Sequence, residues 1–307
     1  MTQTPTHPPV TNMNARSQAT PQQAFDWYDQ YAHGLIDRRT FMNRLMTLSA
    51  GGVALSTLTA ALMPNYAEAE QVSFNDPDIK ATYTAFPSPE GHGEGQGYLV
   101  VPSNLDGQAP VVLVIHENRG LNPYIEDVAR RLAKAGFIAF APDALHPLGG
   151  YPGNDDEGRS MQSSLDSAKM EADFIAAADF LKNHELSTGK LGAVGFCYGG
   201  YVVNMLAARI PDQLDAGVPF YGTPAAQVLR DQVRAPLLLQ FAELDDRVNA
   251  SWPDYEATLR NNGVDYTAHI YPQTNHGFHN DSTARYDEAA AELAWERSVA
   301  FFNTHLG

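Results

Sequence analysis

The sequence predicts an α/β protein built on one doubly wound, mostly parallel sheet. From about residue 72 onwards, short apolar runs alternate with segments whose apolar residues recur at helical spacing. One run, residues 110–115 (PVVLVI), is uninterrupted and typical of a central strand covered on both faces. Polar and charged residues follow several of these runs directly, where open α/β sheets place their ligands. With 307 residues and no internal repeat, we expect a single such domain over residues 70–307.

The elements follow in order along the chain. Residues 79–86 and 97–101 read as strands that could form an antiparallel edge pair, because a turn-rich connection separates them. A helix should begin at Asn122 and Pro123, a capping residue followed by a proline at the first helical position. Residues 142–163 lack periodicity, so we expect a loop or lid that shapes the substrate pocket. The further predicted strands are 137–141, 190–194, 215–220, 235–241 and 266–271, and the further helices are 164–183, 201–210, 252–261 and 284–303.

Composition excludes several classes of function. The net charge of −16, without any block rich in Lys or Arg, argues against nucleic acid as a partner. The single cysteine rules out an intramolecular disulfide and a zinc site made of cysteines. No HExxH or comparable ligand spacing occurs, so we predict neither a metal nor another cofactor.

Residues 1–69 have the pattern of an export leader. Residues 1–22 are polar and should be disordered, and the aromatic stretch 24–31 is consistent with one or two helical turns. Arg38 and Arg39, followed by Phe41, resemble a twin-arginine export signal. An uncharged segment, 45–63, and the small-x-small sequence at 67–69 complete the pattern. We therefore expect recognition by the twin-arginine export machinery, a periplasmic location and no stable membrane insertion after cleavage; an uncleaved anchor is the alternative.

The stretch 195–200, GFCYGG, predicts a nucleophile elbow centred on Cys197. It lies between an apolar run and a helical run, and small residues on both sides of the nucleophile permit the sharp strand-to-helix turn. The turn exposes the central side chain at a helix N-terminus, and it makes the backbone amide of Tyr198 a donor for an oxyanion. The alternative is a small buried cysteine with glycines for packing.

Two later loops offer partners for this thiol. A thiol needs a base, and that base should be a histidine held by a carboxylate. Asp245 and His276 each follow a predicted strand, and the order nucleophile, acid, histidine is that of α/β-hydrolase triads. Asp246 and His279 are the neighbouring candidates. We choose Asp245 because Val248 can then pack under the loop, and His276 because Gly277 leaves space beside it.

These motifs together resemble the dienelactone hydrolase (carboxymethylenebutenolidase) family, over about residues 75–305. The resemblance rests on GFCYGG, on the strand end His116-Glu117 and on the loops carrying Asp245 and His276. It implies an α/β-hydrolase fold with Cys197 as nucleophile, His276 as base and acid, and Asp245 as its orienting carboxylate. It also implies that Glu117 contacts the resting thiol and assists its activation. Three further roles follow from the resemblance: the amide of Asn118 as second oxyanion donor, Tyr221 as a pocket or core tyrosine, and Arg159 as a candidate for holding a substrate carboxylate.

The resulting functional prediction is an exported cysteine hydrolase acting on a small ester or lactone. Thiolate attack would give a thioester, and water activated by His276 would release the acid. A carboxylesterase or acyl transferase with the same triad is the nearest alternative. A thiol redox sensor or binding protein on a hydrolase scaffold is an alternative of a different class.

Overall fold

The structure, a computed structural model, describes residues 20–49 and 54–307. The predicted disorder of residues 1–22 and the middle of the uncharged segment 45–63 therefore lie largely outside the described residues. Among its described residues, the N-terminal part has the helices α1 (Gln22–Ala32), α2 (Arg38–Ser49), α3 (Leu55–Leu62) and α4 (Tyr66–Ala69). Within the two described ranges, no helix is both long and apolar enough to cross a membrane.

The rest of the chain alternates strands and helices, as the sequence predicts. The strands are β1 (Ile79–Ser88), β2 (Gly93–Pro102), β3 (Ala109–Ile115), β4 (Ile138–Pro142), β5 (Ser187–Phe196), β6 (Ala216–Phe220), β7 (Leu237–Ala242) and β8 (Tyr266–Tyr271). The helices are α5 (Pro123–Lys134), α6 (Asp155–Ser164), α7 (Ser167–Lys182), α8 (Tyr198–Arg209), α9 (Asp246–Asn249), α10 (Trp252–Asn262) and α11 (Glu288–Leu306). Short 3-10 helices occur at His146–Leu148 and Gln227–Gln232.

The eight strands form one sheet in the order β1-β2-β4-β3-β5-β6-β7-β8. The expected edge pair is confirmed, because β1 pairs antiparallel with β2 and β2 antiparallel with β4. All later pairings are parallel. Parallel strands need crossover helices, and these cover both faces of the sheet. One apolar core includes side chains of α7, α8 and α10, and the other includes side chains of α5 and α11. The doubly wound α/β architecture is thus confirmed.

The predicted loop over residues 142–163 is wrong in its second half, which forms α6. The Asn154 side chain accepts a hydrogen bond from the Glu157 amide and caps the helix. Acidic residues in the first turn, such as Asp155 and Asp156, further stabilise the positive end of the helix dipole. The helix has few apolar residues, so its sequence lacks the periodicity from which it could have been predicted.

The first three helices form a cap on the sheet domain, which we define as residues 20–49 and 54–63. Their apolar side chains make a small core of their own, and this core extends to Ala284 of the domain. Phe41 is fully buried in it and stacks on Tyr31 at a ring-centroid distance of 4.9 Å. The helix expected near residues 24–31 is confirmed as α1. The use of residues 1–69 as an export signal stays a prediction.

Candidate active site

The turn between β5 and α8 holds Cys197 in a conformation that side-chain-bearing residues rarely adopt. Its φ is 57° and its ψ is −109°, and it stands at the N-cap of α8. Glycine is required on both sides because the backbone passes very close to itself. A Cβ on Gly195 would lie 2.1 Å from the carbonyl oxygen of Gly199, and a Cβ on Gly199 would lie 2.1 Å from that of Ile115. The strained elbow therefore has the local geometry expected of a nucleophile.

The structure pairs His276 with Asp245. Nδ1 of the histidine lies 2.6 Å from Oδ2 of the carboxylate, and both side chains are buried. Asp245 also accepts a hydrogen bond from the Val248 amide, so the loop containing α9 fixes its orientation. Nδ1 must carry the proton that it shares with the carboxylate. Nε2 is then the nitrogen at which the ring can gain or lose a proton, and it has no hydrogen-bond partner among the described residues.

The neighbouring candidates have different surroundings. His279 is buried against Tyr124, whose hydroxyl lies 2.7 Å from its Nδ1. Burial, reinforced by the nearby Arg131, holds the pKa of His279 well below its usual range. This histidine is therefore a neutral core residue. Asp246 begins α9, and its carboxylate is not the partner of His276.

Electrostatics at the site favour a thiolate beside an imidazolium. Burial by itself would raise the pKa of Cys197, but the neighbouring His276 and His33 bring it well below the usual value for a thiol. Burial would likewise lower the pKa of His276, yet the charges of Asp245, Cys197 and Asp29 raise it to about 10. Each ionised group thus stabilises the other, as in activated cysteine nucleophiles.

His33, in the cap, contacts the thiol directly. Its Nε2 lies 3.3 Å from Cys197 Sγ, and its ring meets the ring of His276 edge-on at a centroid distance of 4.9 Å. The sequence analysis did not include this residue among the site residues. It lies 164 positions before Cys197, inside a segment that resembles an export leader. The sequence offers one signal for a contact between this segment and the domain. It is the aromatic stretch 24–31, because such side chains are expected in a segment that packs on a domain.

Glu117 and Tyr221 are both buried at the site; the expected contact of Glu117 with the thiol is not among its hydrogen bonds. Glu117 is buried after β3, and its carboxylate accepts a hydrogen bond from Asn280 at 3.3 Å. Burial raises the pKa of Glu117, and the negative charge of Cys197 acts in the same direction. Tyr221 is buried with a φ of 38°, and its ring lies 4.9 Å from that of His276.

The other two expected site residues, Asn118 and Arg159, contact the cap through their side chains. The side chain of Asn118 donates a hydrogen bond to the carbonyl oxygen of Ala32, at 2.8 Å. Arg159 donates to the carbonyl oxygen of Tyr31 at 2.5 Å, and its guanidinium lies over the Tyr31 ring. This arginine therefore binds the cap. It is absent from the residues that line the pocket at the thiol.

That pocket has a volume of about 210 Å³. It is smaller than the cavities that usually hold drug-sized ligands, so it suits a small acyl group or lactone ring. Residues from the cap and from the sheet domain contribute to it together. Its lining residues are His33, Asn118, Cys197, Tyr198, Tyr201, Tyr221, Thr223 and Arg247.

Donor atoms of His33, Cys197 and His276 lie within 4.8 Å of one another, a spacing that could surround a metal ion. However, Nη2 of Arg247 lies 2.9 Å from His33 Nε2. A guanidinium that donates to this nitrogen occupies its single lone pair, so a metal ion could bind there only after Arg247 moved away. The arrangement is better suited to sharing protons than to holding a metal.

Comparison with known proteins identifies the family of the chain. The model of the dienelactone hydrolase family matches residues 96–306, which contain the elbow, Asp245 and His276. The chain belongs to the dienelactone hydrolase family. A separate family model, described as YqhI-like, matches residues 13–49, which include α1, α2 and His33.

Relatives of this dienelactone hydrolase family member have provisional hydrolase names. YghX of Escherichia coli (strain K12), provisionally described as a hydrolase fragment, is 65% identical over 34% of this chain and 90% of its own length. A protein of Aquifex aeolicus, provisionally named carboxymethylenebutenolidase, is 35% identical over 69% of this chain and 94% of its own. The crystal structure of a provisionally assigned dienelactone hydrolase from Klebsiella pneumoniae is 26% identical with a TM-score of 0.64, covering 73% of this chain and 99% of its own.

Proposed function

We propose that this protein hydrolyses a small ester or lactone through a Cys197-His276-Asp245 triad and a thioester intermediate. The observation that carries the proposal is the 2.6 Å pairing of Asp245 with His276 beside the strained cysteine. Membership of the dienelactone hydrolase family supports hydrolysis as the class of reaction.

The proposed reaction begins with attack of the Cys197 thiolate on the substrate carbonyl carbon. The carbonyl electrons move to oxygen, and the backbone amides of Tyr198 and Asn118 stabilise the resulting oxyanion. The oxyanion collapses to a thioester while the imidazolium of His276 protonates the leaving oxygen. Neutral His276 then removes a proton from water, whose oxygen attacks the thioester and expels the thiolate. Asp245 holds the ring in the required tautomer through both steps.

The pocket supports a small substrate that has a polar oxygen on one side. Arg247 lines the pocket as a donor for that oxygen, and Asp29, 3.5 Å from its guanidinium, offsets part of its charge. A relative from Bradyrhizobium, 31% identical over 70% of this chain, is named as a probable 2-oxo-3-(5-oxofuran-2-ylidene)propanoate lactonase. We therefore include lactones bearing a carboxylate among the first substrates to test.

Glu117 is proposed to assist activation of the thiol. Its carboxylate is buried, and its negative charge and that of a Cys197 thiolate disfavour each other, so uptake of a proton by Glu117 would favour thiolate formation. Glu117→Gln removes that charge and retains the shape of the side chain. We expect an altered pH dependence of hydrolysis in this variant, and an unchanged profile would exclude the role.

Mass spectrometry of the intact protein tests the proposed function. The protein is incubated with activated esters and with lactones, alongside a Cys197→Ala control. A transient acyl adduct on Cys197 that disappears as the acid is released supports the thioester pathway. Absence of any adduct, together with ready oxidation of the thiol by dilute peroxide, would contradict it and favour a redox sensor.

We also propose that Arg38 and Arg39 serve twin-arginine export of the folded protein. Both side chains are exposed on α2, where a receptor could reach them. Replacing both with Lys should retain the protein in the cytoplasm, as measured by cell fractionation. Unchanged distribution would refute the signal. The mass of the exported form would show whether residues 1–69 are removed, and any role of His33 at Cys197 requires that they are retained.

A further inference from the structure

A second Asp-His pair approaches Cys197 from the cap. Nδ1 of His33 lies 2.8 Å from the carbonyl oxygen of Asp29 and 3.2 Å from its Oδ1. A carbonyl oxygen only accepts, so Nδ1 must carry a proton. Nε2 faces the thiol at 3.3 Å. The arrangement resembles that of Asp245 and His276, except that the hydrogen bond to Nδ1 comes from the backbone carbonyl and the Asp29 carboxylate adds its charge at 3.2 Å. Asp29 lies on α1, four residues before His33 at the C-cap of that helix.

The cap is attached to the domain on several sides of this contact. Arg119 donates to the Tyr28 hydroxyl at 3.0 Å, and the guanidinium of Arg285 lies over the same ring. Asn118 and Arg159 bind the carbonyl oxygens at the C-terminal end of α1, immediately before His33. Because these anchors surround it, the imidazole is held at the thiol by the packing of the whole cap.

We propose that His33 is a further catalytic residue, a second general base that accepts the proton of the Cys197 thiol. The inference rests on the proposed function, in which Cys197 is the nucleophile. In this step the S–H bond breaks, an N–H bond forms at Nε2 of His33, and the sulfur keeps the electron pair as a thiolate. Return of the proton to sulfur reverses the step.

The surroundings of His33 are consistent with both protonation states. Arg247 can donate to Nε2 only while that nitrogen is unprotonated, and it then competes with the thiol for the single lone pair there. After proton transfer, Nε2 donates to the thiolate and Arg247 is available to the Asp29 carboxylate, whose Oδ2 lies 3.5 Å away. The other charged group that faces the ring is His276. Asp29 and the thiolate together balance the positive charge on His33.

The position of His33 at the thiol indicates what a second base would contribute. Sγ of Cys197 lies 3.3 Å from His33 Nε2, whereas Nε2 of His276 has no hydrogen bond of good geometry among the described residues and lowers the pKa of the thiol chiefly through its charge. If His33 holds the thiol proton, formation of the thiolate no longer depends on His276 alone. The cap also forms one wall of the pocket, so the base arrives on the segment that limits substrate size.

Alkylation of Cys197 by iodoacetamide across pH 5 to 10 tests this inference without a substrate. The proteins are full-length wild type, His33→Asn, His276→Asn and the double variant, with His305→Asn on α11 as a control. We expect His276→Asn to keep substantial reactivity at pH 6. Adding His33→Asn should lower that rate on the order of 10²-fold, towards an unperturbed thiol of pKa about 8.5.

The inference is overturned if His276→Asn alone alkylates like an unperturbed thiol and the double variant reacts at the same rate. Trypsin cleavage at the exposed Arg38 and Arg39 shows whether each variant keeps its cap in place, and His276→Asn leaves cap residues unaltered.

Acyl-adduct measurements separate the two proposals. If adducts form but His33→Asn changes no alkylation profile, only the role of His33 fails; if no ester acylates Cys197, the proposed function fails independently.

Discussion

Replacing Gly199 with Ala should push the end of β3 away from the start of α8. The two proposed oxyanion donors, the amides of Asn118 and Tyr198, would then move apart. Gly199 directly follows Tyr198, and a side chain added to it would point at the end of β3. An added Cβ would lie 2.1 Å from the carbonyl oxygen of Ile115 and 2.8 Å from that of His116. Both obstacles are backbone atoms, so a side-chain rotation cannot relieve the overlap.

The size of the effect follows from these distances. Ordinary contact begins near 3.4 Å, so β3 and α8 must move apart by about 1.3 Å, the difference from 2.1 Å. Overpacking of this kind costs about 1–3 kcal/mol in the free energy of unfolding. A misplacement of about 1 Å among reacting groups can lower the rate about 10²-fold. We therefore expect kcat for an activated ester to fall about 10²-fold while the protein still folds.

Gly217→Ala is the matched control, because it is also a Gly-to-Ala change in the sheet region. Its Cβ would meet side-chain atoms of Leu237 at 2.8 Å and Val203 at 3.0 Å, which can shift. We expect some loss of stability in urea denaturation and near-normal kcat. Wild-type kcat in Gly199→Ala, or an equal loss of kcat in Gly217→Ala, would refute the argument that backbone approach at the elbow positions the oxyanion donors.

Three further predictions concern the triad. Cys197→Ala should abolish turnover and leave the circular dichroism spectrum intact; loss of the fold would instead make the cysteine structural. Asp245→Asn should lower kcat about 10³- to 10⁴-fold, because the 2.6 Å partner that fixes the His276 tautomer is lost, and a loss under tenfold in steady-state assays would exclude that role. The pKa of His276 is raised to about 10, so its contribution to stability is complete below pH 6.5 and is lost as pH rises towards 10. The difference in unfolding free energy between wild type and His276→Asn should shrink over that window, and a constant difference would contradict the ion pair.

Local patterns were sufficient to predict the elbow and the order of its partners. The glycines around Cys197 are required by contacts within a few residues of the turn or with the neighbouring strand, and such requirements appear directly in the sequence. Asp245 and His276 could be proposed because each follows an apolar strand. Helix α6 was missed because its signal lies in a cap and acidic first turn, without an apolar face.

His33 could not be predicted from local sequence. Its role depends on contact between residues 164 positions apart, and neither Asp29 nor His33 belongs to a motif that points to a thiol. The same segment also contains paired arginines, which indicate an export signal and not a catalytic role. The packing of the aromatic side chains on the domain brings His33 to Cys197, and the spacing of residues along the sequence does not show this packing.

The long sequence separation of the cap contacts sets an order for assembly during protein synthesis. Gln22 in α1 lies beside Asn275, 253 residues later, and Arg285 stacks on Tyr28. The helices of the cap leave the ribosome first, yet the surface that receives them is complete only when the last tenth of the chain has emerged. Closing so long a loop is slow in comparison with local folding. The thiol of Cys197 therefore stays uncovered from its own synthesis until the end of the chain emerges, and the cap docks as one of the final steps.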